Sequence, residues 1–298
     1  MTVMNISVQP GTYVVAVSGG VDSMVLLDLL RSQPDLKLVV AHFDHGIRHD
    51  SSFDKDLVRH VARSYNLPFV YHEAKLGPDA SEDQARKARY EFLHQVRQAS
   101  GARAVLTAHH HDDALETAVI NILRGTGRKG LSALRSRQTV HRPLLHIPKQ
   151  VIREYARDQG LVWREDSTNQ DTKYLRNHVR HNVLSQFEDS DRQKLKDIIS
   201  RTAQVNEELD TQLMNYLHVQ SQNGKLDRDT FLRLPHAVSK EVMAAWLRKH
   251  GIADFDKKAL ERLVVRAKTL APGKVTDVTR GHSLRISKDY LALSAPDR

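Results

Sequence analysis

The first 165 residues alternate short apolar runs with amphipathic stretches. The apolar runs are rich in β-branched residues and predict strands at Val14–Val17, Leu38–Phe43, Phe69–Tyr71 and Ala104–Ala108. The stretches between and after them have helical periodicity and predict helices at Ser23–Arg31, Ser52–Tyr65, Glu82–Gln98 and Ala114–Leu123. Strands that alternate with helices form parallel βαβ units, so the pattern predicts an α/β fold with a doubly wound parallel sheet.

After Phe187 the pattern becomes mainly helical. A long charged amphipathic helix is predicted at Asp189–Leu217, followed by helices at Asp229–Leu234, Val238–His250 and Lys257–Lys268. Three short strands, Lys274–Val278, Leu284–Ser287 and Tyr290–Leu293, surround a turn at Arg280–His282. We therefore expect two domains, 1–187 and 188–298, the second smaller and mainly helical with a terminal hairpin or meander.

Composition narrows the class of protein. A chain of 298 residues is long enough for two domains, and 40% hydrophobic residues suffice for a core. The absence of cysteine excludes disulfides, Fe–S clusters and catalytic thiols. No run of apolar residues is long enough for a membrane span, and the N-terminus lacks the pattern of a signal peptide, so a cytoplasmic protein is expected. The net charge of +9 suits a polyanionic partner.

Candidate chemistry follows three of the predicted strands. Ser18–Ser23, Asp44–Arg48 and His109–Asp113 each come directly after a strand. Because ligands in open α/β sheets bind at the carboxyl ends of the strands, these segments are expected to converge on one cleft.

The segment Ser18-Gly19-Gly20-Val21-Asp22-Ser23 has the features of a phosphate-binding turn. Paired glycines let backbone N–H groups surround an anion, and the following helix adds its positive N-terminal end. Asp22 would repel a bare phosphate, so its presence indicates a Mg²⁺ ion between the two. No Gly-Lys-Ser/Thr follows the glycines, which excludes a Walker A loop, whereas a capped turn without a ligand is the simpler alternative.

An acidic segment opens the fourth predicted helix. Asp113 and Glu116 are three residues apart and share a helix face, while adjacent histidines cannot all reach one metal ion. The alternative to a functional role is a structural one, in which Asp112 caps the N-terminus of the helix.

Basic residues recur at helical spacing. Arg86 and Arg89 are neighbours on one helix face beside Tyr90, and Arg176 and Arg180 are four apart, a spacing that suits phosphate binding as well as a salt-bridged surface helix. Gly125–Gly130 matches a dinucleotide fingerprint but follows a helix, so we interpret Arg124–Gly130 as a basic glycine loop able to close over substrate, with a glycine helix stop as the alternative.

These segments occur together in one family. The Ser18–Ser23 turn resembles the PP-loop of the N-type ATP pyrophosphatases, and the chain resembles the bacterial tRNA(Ile)-lysidine synthetases over nearly its full length. The matching segments are Ser18–Ser23, Asp44–Arg48, Ala85–Tyr90, Ala108–Thr117, Arg124–Gly127, Gly130–Leu131, Arg164–Asn169 and Leu175–His181. The resemblance implies a PP-loop catalytic domain at 1–187 and a tRNA-contacting domain at 188–298. Longer family members carry a further C-terminal domain.

The resemblance also implies a reaction. The enzymes of this family use ATP to adenylate the wobble cytidine of tRNA(Ile) with an unmodified CAU anticodon, and free L-lysine then replaces AMP to give lysidine. It assigns ATP to Ser18, Gly19, Gly20, Val21, Asp22 and Ser23, with Mg²⁺ on Asp22. It assigns catalysis to Asp22, His110, Asp113, Glu116 and Arg124, and tRNA binding to Arg48, Arg86, Arg89, Arg176 and Arg180. It leaves a homodimer open.

Two other classes stay open on the sequence. One is a different adenylating enzyme of the same fold acting on tRNA or a small molecule, although most tRNA thiolases need cysteines. The other is a non-catalytic RNA-binding protein, against which the intact Asp22, Asp113 and Glu116 count.

Overall fold

The computed structural model of the chain describes residues 4–46, 51–74, 76–77, 80–136, 138–165, 175–252, 255–279 and 281–294. The chain forms two compact units, Met1–Thr202 and Ala203–Arg298. The domain limit expected after residue 187 lies earlier in the chain than this division and stays a prediction.

The first unit contains a parallel sheet of five strands. They are β1 (Gly11–Ala16), β2 (Leu36–Asp44), β3 (Phe69–Glu73), β4 (Ala104–Leu106) and β5 (Val140–His141). Their order is β3-β2-β1-β4-β5 and every pair is parallel. The order reverses on either side of β1, so the predicted doubly wound sheet is confirmed. The two-residue β5 was not predicted.

The helices of this unit lie between the strands along the chain or follow the last strand. They are α1 (Val21–Arg31), α2 (Ser51–Ser64), α3 (Glu82–Ala99), α4 (His111–Leu123), α5 (Arg128–Leu131), α6 (Lys149–Asp158) and α7 (Leu175–His178). A π-helical turn, Val179–Val183, and a 3₁₀ turn, Leu184–Gln186, follow α7 and precede the long helix α8 (Asp189–Gln220). Helices α5, α6 and α7 are additions to the predicted set.

Apolar layers cover both faces of the sheet. Successive residues of a strand point to opposite faces, and Val14 and Val15 of β1 accordingly belong to different layers. One layer includes Leu26 of α1 and Ile152 of α6, whereas the other includes Phe92 of α3. The sheet is thus buried on both faces, and its carboxyl edge stays available for a site.

The second unit combines helices with an antiparallel sheet. Its strands are β6 (Ser221–Gln222), β7 (Lys225–Asp227), β8 (Val275–Thr279), β9 (His282–Ile286) and β10 (Tyr290–Ser294), in the order β6-β7-β10-β9-β8. Its helices after α8 are α9 (Arg228–Arg233), α10 (His236–Lys249) and α11 (Lys257–Thr269). The expected terminal meander is β8-β9-β10, and β6 and β7 extend it. Buried Trp246, Phe231 and Leu284 lie in the core of this unit. In the ranges that the structure describes, every helix is too short or too polar to cross a membrane.

Candidate active site

The carboxyl ends of the parallel strands surround a cavity of about 510 Å³. Its lining includes Ser18 and Asp22 after β1, Asp44 and His45 at the end of β2, and His109 after β4. The convergence expected from the sequence is therefore confirmed for these residues. Ile47 and Arg48, which belong to the second of the three segments, lie outside the described residues.

The phosphate turn, Ser18–Ser23, is held open by its own hydrogen bonds. Gly19 has a φ of +91°, a conformation that glycine adopts without strain, and Gly20 is the N-cap of α1. The buried Ser23 hydroxyl donates to the Gly20 carbonyl at 2.8 Å and accepts from the Ser18 N–H at 3.1 Å. Ser23 thus shapes the turn, and the first N–H groups of α1 are directed toward the cavity end of the helix.

Asp22 carries the charge of the phosphate turn. Lys149, the first residue of α6, donates its ammonium to Asp22 Oδ2, and His110 Nε2 lies 3.8 Å from the same oxygen. Asp22 Oδ1 is buried without a hydrogen-bond partner among the described residues. A cation that is also bound by phosphate oxygens would satisfy this orphaned atom.

The start of α4 differs from the expected capping by Asp112. The helix begins at His111 with His110 as N-cap, and Asp113 Oδ2 accepts the His110 N–H at 2.9 Å. Asp112 instead accepts the backbone N–H of Lys149 at 2.9 Å, so it joins α4 to α6. Capping by Asp112 is therefore wrong, because the carboxylate three residues beyond the N-cap has the better geometry for the free N–H.

Two arginines lie against the acidic face of α4. Arg180 donates to both oxygens of Glu116, from Nε at 2.6 Å and from Nη2 at 3.1 Å. Arg176 Nη1 and Arg180 Nη2 lie 3.8 Å and 4.0 Å from Asp113 Oδ1. Asp113 and Glu116 share one face as expected. The two arginines predicted to contact tRNA thus balance the charges of these carboxylates.

Burial and charge set the protonation of the site. Burial opposes ionisation of Asp113, but the charges of His110 and His109, the His110 N–H and Arg176 outweigh it and lower the pKa. For Glu116 burial prevails over Arg180 and raises the pKa. The pKa of His110 is raised because three carboxylates around it outweigh its burial. The site therefore contains an ionised carboxylate and, one helical turn away, a carboxyl group that holds its proton more tightly.

A second cavity of about 230 Å³ is rich in cations. Its lining residues are His45, Ala85, Arg86, Arg89, His109, Asp113 and Arg176. The guanidinium carbons of Arg86 and Arg89 lie 5.1 Å and 5.5 Å from the centroid of the Tyr90 ring. The basic helix face predicted from the sequence is thus part of a cavity wall that also contains a carboxylate.

The Arg124–Gly130 loop overlaps the one-turn helix α5, Arg128–Leu131. Arg124 is exposed at the C-cap of α4, and Gly125 follows with a φ of +63°, as expected of a glycine helix stop. A Cβ at Gly130 would lie 1.9 Å from Thr126 Oγ1, so only glycine fits there. Arg124 does not line either of the two cavities described above.

Several residues of the site were not predicted. Lys149 is the main one, and its signal is Pro148 directly before the helical pattern of Ile152, Tyr155 and Ala156. Asp54, which is buried, accepts from Arg164 Nε at 2.7 Å, and both line the larger cavity. The pairs Asp22–Lys149 and Asp54–Arg164 join segments that are distant in the sequence, so no local pattern reveals them.

The comparisons with known proteins agree with this geometry. The family model of the PP-loop domain matches residues 3–187. The chain belongs to the PP-loop domain family. The phosphate turn of this PP-loop chain and its acidic segment lie within the matched range. The same range includes Arg176 of α7 and Arg180 of the π-helical turn.

Curated relatives share the name tRNA(Ile)-lysidine synthase. The relative from Solibacter usitatus is 32% identical over 280 residues, which cover 91% of this chain and 60% of the relative. The relative from Exiguobacterium sibiricum is 34% identical, with 81% of this chain and 60% of the relative covered. The one from Thermus thermophilus is 42% identical over 59% of this chain and 36% of its own length. The chain thus spans less than two thirds of the relatives that it matches.

A solved structure has the same fold. A U34-tRNA thiolase from Methanococcus maripaludis superposes with a TM-score of 0.53 at 17% identity, covering 67% of this chain and 74% of that chain. At this identity the likeness shows the fold alone.

Proposed function

We propose that this protein ligates free L-lysine to C2 of the wobble cytidine of tRNA(Ile), with ATP as the activating substrate. One observation carries the proposal. The phosphate turn and Asp113 at the start of α4 line the same cavity, within a chain whose curated relatives are tRNA(Ile)-lysidine synthases. An adenylating ligase needs both parts, one for the nucleotide and one for the amine. We place this reaction in the cytoplasm.

ATP is assigned to the phosphate turn. The positive end of α1 and the turn of Gly19 and Gly20 suit a triphosphate. Mg²⁺ is assigned to Asp22, whose buried Oδ1 would serve as a carboxylate ligand beside the phosphates. When bound, Mg²⁺ neutralises charge on the phosphates.

The first chemical step is adenylation of the base. The cytosine O2 forms a bond to the α-phosphorus, the bond from this phosphorus to the bridging oxygen breaks, and pyrophosphate leaves with the electron pair. The carbonyl oxygen thereby becomes part of a good leaving group. Cations at the phosphates stabilise the charge that develops in this step.

The second step is attack by lysine. Its ε-amine forms a bond to C2, the C2–O bond breaks, and AMP leaves with the oxygen and the electron pair. The ammonium must lose a proton first, and Asp113 and Glu116 are the carboxylates assigned to hold it and accept that proton. Arg86 and Arg89 in the second cavity are suited to the α-carboxylate of lysine or to a tRNA phosphate.

Binding of tRNA completes the proposal. The target base lies in a single-stranded loop, where a protein can reach its edge. We assign tRNA contacts to Arg48, Arg86, Arg89, Arg176, Arg180 and the second unit, and contact with anionic substrate groups to Arg124. The proposal leaves a homodimer open.

A direct assay tests this function. The purified chain is incubated with ATP and Mg²⁺, with and without lysine and with tRNA(Ile) bearing the CAU anticodon or a tRNA lacking it. We expect pyrophosphate release that requires this tRNA, and a nucleoside heavier by one lysine less water in the digested product. Pyrophosphate release without tRNA would instead indicate a small-molecule substrate. Binding of tRNA without any turnover would indicate an RNA-binding protein.

A further inference from the structure

Phe53, in the first turn of α2, is an aromatic residue that faces solvent. It is 61% exposed, and among the large apolar side chains that are exposed in the described residues it is the one aromatic ring. A single exposed apolar residue is common on protein surfaces, so its surroundings decide what it can do.

The Phe53 ring lies beside the larger cavity without lining it. The next residue, Asp54, is buried and lines this cavity together with Arg164. The Arg164 guanidinium carbon lies 5.2 Å from the centroid of the Phe53 ring, but Phe53 itself lines neither of the two cavities described above. A small ligand enclosed in the cavity would therefore not need the ring, whereas a larger substrate that extends out of the cavity would meet it.

Arg164 is fixed at this position by its other contacts. Its Nε donates to Asp54 Oδ1 at 2.7 Å, and its backbone N–H donates to the Gly19 carbonyl at 3.0 Å. The planar guanidinium is thus preorganised between the phosphate turn and the exposed ring. Little further side-chain entropy is lost when another planar group stacks there.

Two other contacts between a cation and a ring on α2 show what a packing role looks like. Lys55 Nζ lies 5.1 Å from the centroid of the Tyr71 ring, and the Arg59 guanidinium carbon lies 5.8 Å from that of Phe69. Both rings belong to β3 and are half-buried, so the cations cover the edge of the apolar layer. The Phe53 ring projects from a helix into solvent and has no such layer to cover.

The chemistry of the exposed pair suits an unpaired nucleic-acid base. Bases of single-stranded RNA stack on aromatic rings and on guanidinium planes, and the positive charge attracts the neighbouring phosphates. In the proposed reaction the target cytosine must enter the cavity, so the adjacent nucleotides of the loop stay outside it. Phe53 and Arg164 lie where such a nucleotide leaves the cavity.

We propose that Phe53 and Arg164 form a stacking platform for a base adjacent to the wobble cytidine of the bound tRNA. This inference rests on the proposed function for its substrate. The platform holds the loop while the cytosine is in the cavity. Because every base has a flat face, the platform contributes affinity rather than a choice of sequence.

A double-mutant cycle between protein and RNA tests the platform. Affinity for tRNA(Ile) with the CAU anticodon is measured for the wild type and for Phe53→Ala, with the intact RNA and with RNAs that lack the base on one or the other side of the wobble cytidine. We expect Phe53→Ala to weaken binding of the intact tRNA by about tenfold, the size of one stack between a base and an aromatic ring. For the RNA that lacks the stacked base, the same substitution should change the affinity by less than about twofold.

Conservative variants separate stacking from a structural role. Phe53→Trp keeps an aromatic face and should retain the affinity for tRNA. Phe53→Leu keeps an apolar side chain without that face and should lose as much affinity as Phe53→Ala, whereas a structural role would tolerate leucine. Ile198→Ala is the control, because it removes another exposed apolar side chain from the same unit and should leave the affinity unchanged.

Titration calorimetry with ATP and Mg²⁺ distinguishes the platform from a nucleotide contact. Phe53→Ala should change the affinity for ATP by less than about twofold. Equal losses for ATP and tRNA, or losses from the protein and RNA changes that simply add, would overturn the inference. These titrations need no turnover, so a chain that makes no lysidine but shows the coupling would disprove the proposed function and keep the platform, and lysidine formation without the coupling would do the reverse.

Discussion

At the scale of single residues, Glu116 is a buried and doubly bonded carboxylate of the acidic segment. Its side chain is 1% exposed, and both oxygens accept from Arg180 in a forked pair. Burial raises its pKa although Arg180 opposes this shift. A carboxylate with a raised pKa and a fixed orientation is suited to receive a proton from an amine. We therefore assign Glu116 to the second half of the proposed reaction.

Replacing Glu116 by Gln should therefore slow lysine transfer more than adenylation. The amide keeps the shape but loses the charge, so we expect about a hundredfold slower lysidine formation and an accumulation of adenylated tRNA. Quenched reactions with ATP, tRNA and lysine, analysed by mass, measure both products. Asp191→Asn, which neutralises an exposed carboxylate of the same unit, is the control. A matching fall in pyrophosphate release would assign Glu116 to the ATP site or to the fold.

His110 predicts a pH-dependent contribution to stability. Burial lowers its pKa, but Asp112, Asp113 and Asp22 outweigh this effect, so the pKa is raised above 6.5 in the folded chain. A raised pKa means that the folded state binds the proton more tightly. This stabilisation is complete below the unfolded pKa and is lost as the pH rises through the folded one, with a slope of at most about 1.4 kcal/mol per pH unit.

Urea unfolding of the wild type and of His110→Gln at several pH values tests this contribution. The difference in free energy of unfolding between the two proteins should shrink as the pH rises above about 6.5. Lys149 also faces His110 and opposes its charge. His109 and His111 have pKa values that burial lowers, and they contribute the opposite trend in both proteins. A difference that is constant with pH would contradict the prediction.

At the scale of elements, hydrophobic periodicity predicted the helices and strands that bury a continuous apolar face. The four predicted strands of the first unit correspond to β1–β4, with ends that differ by a few residues. The two-residue β5 was missed, because its only support is the pairing of Val140 and His141 with β4. Helix α6 was missed although Ile152 and Ala156 are buried, since its start depends on Pro148 rather than on a side-chain cap.

In the candidate site, too, local sequence patterns predicted some features and tertiary packing determined the others. Spacing along the chain predicted the phosphate turn and the shared face of Asp113 and Glu116. It could not predict the pairs Asp22–Lys149 and Glu116–Arg180, because packing of separate helices brings these partners together. Sequence thus predicted which segments carry chemistry, whereas the structure was needed to find their partners.

Helices α1 and α6, which supply Asp22 and Lys149, are joined by a buried carboxylate. Asp28 of α1 is 5% exposed and accepts from Tyr155 of α6 at 2.8 Å, from Tyr65 at 3.2 Å and from Arg31 at 2.8 Å. Loss of one donor leaves a buried charge less well satisfied. The packing of α1 against α6 should therefore depend on the hydrogen bond from the Tyr155 hydroxyl.

Tyr155→Phe should lower the free energy of unfolding by about 1–3 kcal/mol, because the hydrogen bond is made to a charged group. Chemical denaturation measures the change. Tyr65→Phe is the matched control, as it removes a longer bond from α2's C-terminal end to the same carboxylate, and should cost less. Equal losses in the two variants would show that the bond from α6 has no special weight.

At the scale of the whole molecule, the carboxyl and amino edges of the parallel sheet differ in their surroundings. The carboxyl edge opens into both cavities, whereas Arg103, just before β4, binds the Pro10 carbonyl at 2.8 Å at the amino edge. The chain carries a net charge of +9. A polyanion is attracted by the total charge, but bound counterions are released only where cations touch phosphates.

The two edges provide a matched pair of variants for tRNA binding. Arg89 lines both cavities, and Arg89→Ala and Arg103→Ala each remove one positive charge, so they change the net charge equally. The affinity for tRNA should fall with salt for the wild type, and Arg89→Ala should reduce the slope of log K against log salt by about one, the value for one phosphate contact. Arg103→Ala should leave the slope unchanged, because the amino edge is remote from the site. Binding titrations at several salt concentrations measure the slopes. If both variants shift the slope alike, tRNA responds to net charge rather than to a surface at the carboxyl edge, and a salt-independent affinity would remove the electrostatic basis of binding altogether.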